Sequence, residues 1–145
     1  MSTSLSRSFY DGEYILTNKI SYRFNEPKQG EVIIFKAPHN ESYDYIKRII
    51  GLPGDTIKIK DGKVFINGVL LNESKYLPTD IYTNAGRFIK EGEEIIIPSE
   101  KYFVIGDNRP YSSDSRDWGF VPRKNIIGKA YFCYWPLQKI GLIRY

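Results

Sequence analysis

Two segments of this 145-residue chain carry residue types and spacings that can do chemistry. The first is Tyr45-Ile46-Lys47-Arg48-Ile49-Ile50, which ends in the turn sequence Gly51-Leu52-Pro53-Gly54-Asp55. Alternation in a strand puts Tyr45, Lys47 and Ile49 on one face and Ile46, Arg48 and Ile50 on the other. Both faces are mostly apolar, so at least one of the two cations is drawn inward. A buried lysine is costly unless it sheds its proton or finds a partner, and a neutral lysine amine is a base. The plainer reading is an edge-strand lysine that snorkels to water. The second segment runs from Gly106 to Gly119 and is almost wholly polar, turn-forming or charged. It follows an apolar strand, and its Asp and Arg residues suggest ion pairs that hold it in shape. Such a loop on a β scaffold is a common place for a site; it also reads as a large connection without chemistry.

Other chemistries find little support. Cys133 is the only cysteine and His39 the only histidine. Cys133 sits in an aromatic strand-like run and reads as a buried thiol, whereas His39 falls in a polar turn, so a Cys–His nucleophile pair is disfavoured. One His and one Cys cannot supply the usual zinc ligands, and no metal or organic cofactor is expected. The net charge of +4, from 21 basic and 17 acidic residues, comes without a basic stripe, so no nucleic-acid partner is expected. There is no run of ~18 apolar residues to span a bilayer, and Met1 to Tyr10 lack the apolar core of a signal peptide.

The elements that must position these residues are mainly strands. Strand-type segments recur at Glu13–Ser21, Glu31–Lys36, Tyr43–Ile50, Thr56–Lys60, Lys63–Ile66, Glu94–Ile97, Tyr102–Ile105 and Gly128–Trp135. Asp61-Gly62 predicts a tight hairpin, and Asn67-Gly68 marks a second turn. Helix is limited to one turn near Pro122–Ile126, and Leu71 to Gly92 reads as a loop-rich excursion from the main sheet.

The order of these segments resembles the type I signal peptidases, membrane-anchored Ser/Lys proteases that remove signal peptides. Lys47-Arg48-Ile49-Ile50-Gly51-Leu52-Pro53-Gly54-Asp55 looks like the lysine motif, and Gly106 to Gly119 like the Gly-Asp-Asn-Arg…Ser-x-Asp-Ser-Arg motif. Gly30 to Phe35 and Asp11 to Leu16 are similar to the family's strand between the serine and lysine motifs and to its segment just after the nucleophile. The resemblance implies roles. Lys47 matches the general base and Ser112 the serine that orients it. Asp114 and Arg116 match an ion pair beneath the site, and Asp107, Asn108 and Arg109 the turn supporting it. Asp44, Tyr45 and Ile46 match the strand that pairs with an extended signal peptide. Tyr45 and Ile46 would help line shallow pockets for small residues such as Ala.

The nucleophile segment departs from the family pattern Gly-x-Ser-Met-x-Pro-Thr. Register on Phe9, Tyr10 and Gly12 places Ser4 at the nucleophile, with Leu5 for Met, Arg7 for Pro and Ser8 for Thr. The other reading is a Ser-rich linker in which the serines stand by composition. Ser2 would contribute to an oxyanion hole. The family's anchoring helix and the strand entering the serine have no counterpart in this sequence. Weak or absent peptidase activity of the chain is therefore expected. The expected fold is mainly β, with antiparallel coiled sheets forming a barrel-like core. One signal-peptidase-like domain would span 1–145, its core at about 1–55 and 99–145 and a small inserted β cap at about 56–98. The implied function is a serine endopeptidase that removes signal peptides from secreted preproteins after Ala-x-Ala, on the extracytoplasmic face of the bacterial cytoplasmic membrane. Signal peptides and the membrane surface are the implied partners. The alternative is a non-catalytic β-module that acts as a scaffold or peptide binder. A self-cleaving repressor-type Ser/Lys protein is disfavoured, because neither a cleavable Ala-Gly segment nor a DNA-binding domain is seen.

Overall fold

A computed structural model of the chain describes residues 3–7, 13–18, 22 and 25–134, with 3–7, 13–18 and 131–134 described by their backbone alone. Seven strands form the larger antiparallel sheet. They are β1 (Thr3–Arg7), β2 (Glu13–Asn18), β3 (Val32–Lys36), β4 (Asp44–Gly51), β9 (Lys101–Ile105), β10 (Val121–Pro122) and β11 (Ile126–Tyr134). Their order in space is β1-β2-β11-β3-β4-β9-β10. The smaller sheet, ordered β7-β6-β5-β8, is built from β5 (Thr56–Lys60), β6 (Lys63–Ile66), β7 (Val69–Leu70) and β8 (Glu94–Ile96).

The turns follow the expected chemistry. Asp61 and Gly62 have φ of 52° and 77°, and Asn67 and Gly68 have 53° and 79°. Two consecutive left-handed residues give the type I′ twist that matches flanking strands. The β5–β6 register that results pairs Lys60 with Lys63 and Ile57 with Ile66.

Alternation sorts the larger sheet into two faces. Ile33, Phe35, Ile49, Val104, Tyr102 and Val121 form one buried cluster, against which Tyr45, Leu52 and Trp118 pack. On the opposite face Ile50, Phe103 and Ile105 meet Ile57, Ile59, Val64, Ile66, Ile89 and Ile97 of the smaller sheet and its flanks in one continuous core. The two sheets are thus held by shared apolar burial, at roughly 25 cal/mol per Å² removed from water.

Three features differ from the sequence reading. Thr3–Arg7 forms a strand where only a Ser-rich segment is read, because its backbone pairs with β2 from Thr3↔Asn18 to Arg7↔Tyr14. A helical turn, α1 (Ser115–Trp118), lies inside the polar loop; Asp114 caps it by accepting from the Arg116 N–H at 3.1 Å. The sheets are antiparallel as expected, but among the described residues no pairing joins β1 to β10 to close a barrel. A single 3-10 turn, Arg123–Asn125, falls where the one helical turn is expected. Among the described residues no helix is long and apolar enough to cross a membrane.

Candidate active site

Lys47 sits at the centre of β4, opposite Ile33 of β3. Its Nζ donates to Ser112 Oγ at 3.0 Å, across a sequence separation of 65 residues. Burial pushes the Lys47 amine below the ordinary lysine range, the Asp114 carboxylate pulls it partly back up, and the Arg116 guanidinium pushes it down. The Tyr45 ring, two residues away on the same face, lies 5.7 Å from Nζ.

Ser112 is brought to the lysine by close packing at the end of β9. A Cβ at Gly106 would overlap Ser112 Oγ and lie 2.6 Å from Ser112 Cβ and 3.4 Å from Lys47 Cδ. Only glycine lets the serine sit there. The Gly106 N–H donates to Asp114 Oδ2 at 3.0 Å, which turns the chain away from the sheet.

The loop that carries Ser112 is folded on three guanidinium groups. Arg116, buried, donates from Nε to Asp114 Oδ1 at 2.8 Å and from Nη2 to Asp114 Oδ2 at 2.9 Å. Burial alone would push the Asp114 carboxyl up, but the Arg116 bonds and charge, the Gly106 N–H and the Ser112 hydroxyl outweigh it and hold the carboxyl low. Arg48, on the other face from Lys47, makes a two-pronged pair with Asp107 at 2.9 and 2.7 Å and donates to the Gly30 carbonyl at 2.7 Å. Arg109 is 1% exposed. It donates to the Gly106 carbonyl at 2.9 Å and to Glu73 at 3.0 and 2.6 Å. Buried cations of this kind persist only when paired and fully hydrogen-bonded.

Among the described residues, one stretch of β4 has no strand on one side. The β4–β9 ladder begins at Arg48↔Ile105 and runs to Gly51↔Phe103. Because the chain leaves the sheet at Gly106, Asp44 to Lys47 have no described strand on that side. The bonds Ala37 N–H to Tyr43 O and Ile49 N–H to Glu31 O set the phase of the β3–β4 ladder. Tyr45 and Lys47 therefore spend their backbone groups on β3, and Asp44 and Ile46 turn theirs toward the open side.

A family model described as "Signal peptidase, peptidase S26" matches residues 1–135. The chain belongs to the signal peptidase S26 family. It is 37% identical to a signal peptidase I of Leptolyngbya laminosa, over 97% of this chain and 68% of that one. It is 35% identical to a probable signal peptidase I-2 of Synechocystis, over 98% of this chain and 64% of the other. With a thylakoidal processing peptidase of Arabidopsis thaliana the identity is 34%, over 97% of this chain but 42% of that one. The chain therefore spans about two thirds or less of these relatives. The crystal structure of a signal peptidase I from Enterococcus faecalis superimposes with a TM-score of 0.58 at 31% identity, covering 72% of this chain and 97% of that one. At that identity the likeness extends beyond fold to sequence.

Against this S26 background, the residues singled out by sequence divide into two groups. Lys47, Ser112, Asp114, Arg116, Asp107 and Arg109 lie in one connected cluster. Asn108 stands in the turn beside it, its carbonyl accepting from the Tyr111 N–H at 3.1 Å. Asp44, Tyr45 and Ile46 line β4 next to the open edge. Ser4 lies in edge strand β1 opposite Thr17, with β2, β11 and β3 between it and β4. The Ser4 side chain lies outside the described residues, as do Ser2 and the Cys133 side chain. Trp118 is half-buried, 6.1 Å from both the Phe35 and the Tyr45 ring and 5.8 Å from His39.

Sequence reasoning passed over the anchors beyond the loop itself: Glu73, Tyr76, Thr83 and Asn84. Thr83 Oγ1 accepts from Arg109 at 3.0 Å and the Asn84 carbonyl from Arg116 at 3.1 Å. No local signal pointed to them: the Gly106–Gly119 segment holds three acids, Asp107, Asp114 and Asp117, for Arg48, Arg109 and Arg116, and Glu73 lies 36 residues from Arg109.

Proposed function

We propose that the chain is the catalytic part of a serine endopeptidase that removes signal peptides, with Lys47 as general base and Ser4 as nucleophile. The observation that carries this reading is the half-buried Lys47 amine, held 3.0 Å from Ser112 Oγ and pushed by desolvation below the ordinary lysine range. An amine that is neutral near working pH can accept a hydroxyl proton; an ordinary surface lysine cannot. Ser112 orients the lysine lone pair, while Asp114 and Arg116 hold Ser112 in place.

The substrate enters as a strand. The open side of Asp44 to Lys47 offers the Asp44 and Ile46 backbone groups to an extended peptide, which supports β-addition of the segment before the cleavage point. Tyr45 and Ile46 then restrict the flanking side chains to small ones, as in Ala-x-Ala. Ser4 attacks the carbonyl after the last small residue as Lys47 takes its proton. The Ser4 N–H and Ser2 stabilise the oxyanion. Lys47 protonates the leaving amine and then activates water to free the acyl group. In a flat sheet, β1 would stand four strand spacings from β4, roughly 19 Å. The reading therefore requires the sheet to coil until edge strand β1 faces the open edge of β4.

The domain reading also follows from this. One catalytic domain spans 1–145, with a core at about 1–55 and 99–145. Its inserted cap is at about 56–98, supported by the smaller sheet, whose strands all lie between Thr56 and Ile96. Signal peptides of preproteins are the substrates, met at the extracytoplasmic face of a membrane.

Cleavage of a preprotein with an Ala-x-Ala site by the wild type, Lys47→Ala, Ser4→Ala and Ser112→Ala tests the mechanism. Lys47→Ala and Ser4→Ala are expected to fall to background, a loss of about 10⁴-fold or more, and Ser112→Ala to lose on the order of 100-fold. Full activity in Ser4→Ala with a dead Lys47→Ala would move the nucleophile to another serine. Equal, background-level cleavage by all four would favour a non-catalytic peptide-binding module.

A further inference from the structure

The loop-rich segment 71–93 crosses the end of the site and makes contacts that the mechanism above does not use. Glu73 is its one acid engaged with a buried arginine: its side chain is 14% exposed and meets the fully buried Arg109 guanidinium at 2.6 Å. Within the Ser112 loop Asp107 is held by Arg48 and Asp114 by Arg116, while Asp117 accepts from the Arg87 N–H, and Arg109 takes its carboxylate from Glu73 instead. Tyr76, one turn further on, donates its hydroxyl to Glu73 Oε1 at 2.9 Å. Its ring lies 3.9 Å from the Arg48 guanidinium carbon. Glu73 and Tyr76 together therefore touch both arginines that flank the Lys47–Ser112 pair.

From there the path to the pair is short. Arg109 Nε holds the Gly106 carbonyl, and Gly106 is the residue against which Ser112 packs. The Arg109 carbonyl accepts from Arg116 Nη2 at 3.0 Å, and Arg116 holds Asp114. We propose that Glu73, assisted by Tyr76, is a positioning residue of this site: it fixes Arg109, and through Arg109 the Gly106 turn and the placement of Ser112 on Lys47. The inference rests on Lys47 acting as general base.

The groups that face the Lys47 amine are Ser112, Asp114 and Arg116 from the loop and the Tyr45 ring from its own strand; Ile33, opposite on β3, is apolar. Glu73 faces none of these directly. A change at Glu73 reaches Lys47 only by moving the loop that desolvates it. A looser loop lets water in and returns the amine toward the ordinary lysine range.

The test titrates the Lys47 amine by NMR of labelled lysine in the wild type, Glu73→Gln, Glu73→Asp and Tyr76→Phe, alongside kcat and KM for a preprotein and thermal unfolding. Glu73→Gln is expected to move the Lys47 midpoint up by about one pH unit and to lower kcat about 10–100-fold with KM changed less than about threefold. Tyr76→Phe, which keeps the ring under Arg48, should shift both in the same direction by less, and it decides the matter if Glu73→Gln does not fold. Glu73→Asp should restore most of the wild-type behaviour. Folded variants that melt earlier but keep the wild-type Lys47 midpoint and kcat would overturn the positioning role. A wild-type Lys47 that titrates in the ordinary range, with Lys47→Ala still cleaving, would instead overturn the general-base reading, and the inference with it.

Discussion

At the scale of single residues, Asp114 ties the Gly106 turn, α1 and Arg116 together beneath Ser112. It is 0% exposed and accepts from the Gly106 N–H, the Arg116 N–H and the Arg116 guanidinium. Its carboxyl is held below the ordinary aspartate value of 3.8, despite burial that favours the neutral acid. A depressed carboxylate contributes stability that is fully present above the unfolded value and is lost as pH falls through the folded one. Asp114→Asn leaves Arg116 buried without its counter-charge, so it is expected to cost about 3–5 kcal/mol at pH 7, measured by urea unfolding. The same variant should show a flatter loss of stability than the wild type as pH falls below the ordinary aspartate value. An unchanged acid limb would mean that Asp114 is not the group titrating there. The pairing of Asp114 with Arg116 was implied by the family resemblance of the Gly106–Gly119 motif, and the structure contains it. The pairing of Arg109 with Glu73 was not legible in the sequence, because 36 residues separate them and nothing local links them.

At the scale of elements, the site depends on where β9 ends. Had the β4–β9 ladder continued past Ile105, it would have covered the open side of Asp44 to Lys47. Instead the Gly106 N–H turns to Asp114 and the chain rises over Lys47. Gly106→Ala tests this junction, because its Cβ would collide with Ser112 Oγ and come 3.4 Å from Lys47 Cδ. With the serine displaced by about 1 Å, kcat/KM is expected to fall about 100-fold, while far-UV circular dichroism stays that of the wild type. An active Gly106→Ala would mean that the Ser112 hydroxyl is not needed where it lies. Most strands were legible, because alternating apolar residues and Asp-Gly and Asn-Gly turns are local signals. α1 was not, since four residues give no periodicity and its cap, Asp114, reads equally well as a loop acid.

At the scale of the whole molecule, the small sheet is welded to the large one by apolar burial. Phe103 of β9 is fully buried at this junction, among Ile57, Ile59 and Ile97, with Phe120 edge-on at 6.3 Å. Phe103→Ala is expected to cost about 3–5 kcal/mol in a single cooperative unfolding transition followed by both tryptophan fluorescence and far-UV signal. Two separate transitions would mean that the smaller sheet folds as a unit of its own. The shared core also explains how residues of segment 71–93 reach the site: the sheet beneath them cannot move independently of β9.

The sequence by itself determined the mainly β class, the hairpin positions and the two motifs that carry family resemblance. Each is written in neighbouring residues, as alternation, turn chemistry or a short ordered run. Only the tertiary structure decided how far each cation is buried, with Lys47 half-buried against Ser112 and Arg48 buried against the Tyr76 ring. It alone decided that Asp44 to Lys47 have no described strand on the β9 side, and that Glu73 supplies the counter-charge for Arg109. These outcomes depend on burial and on contacts across 28 to 65 residues. Desolvation and long-range pairing exist only once the chain has closed on itself, so no local pattern encodes them.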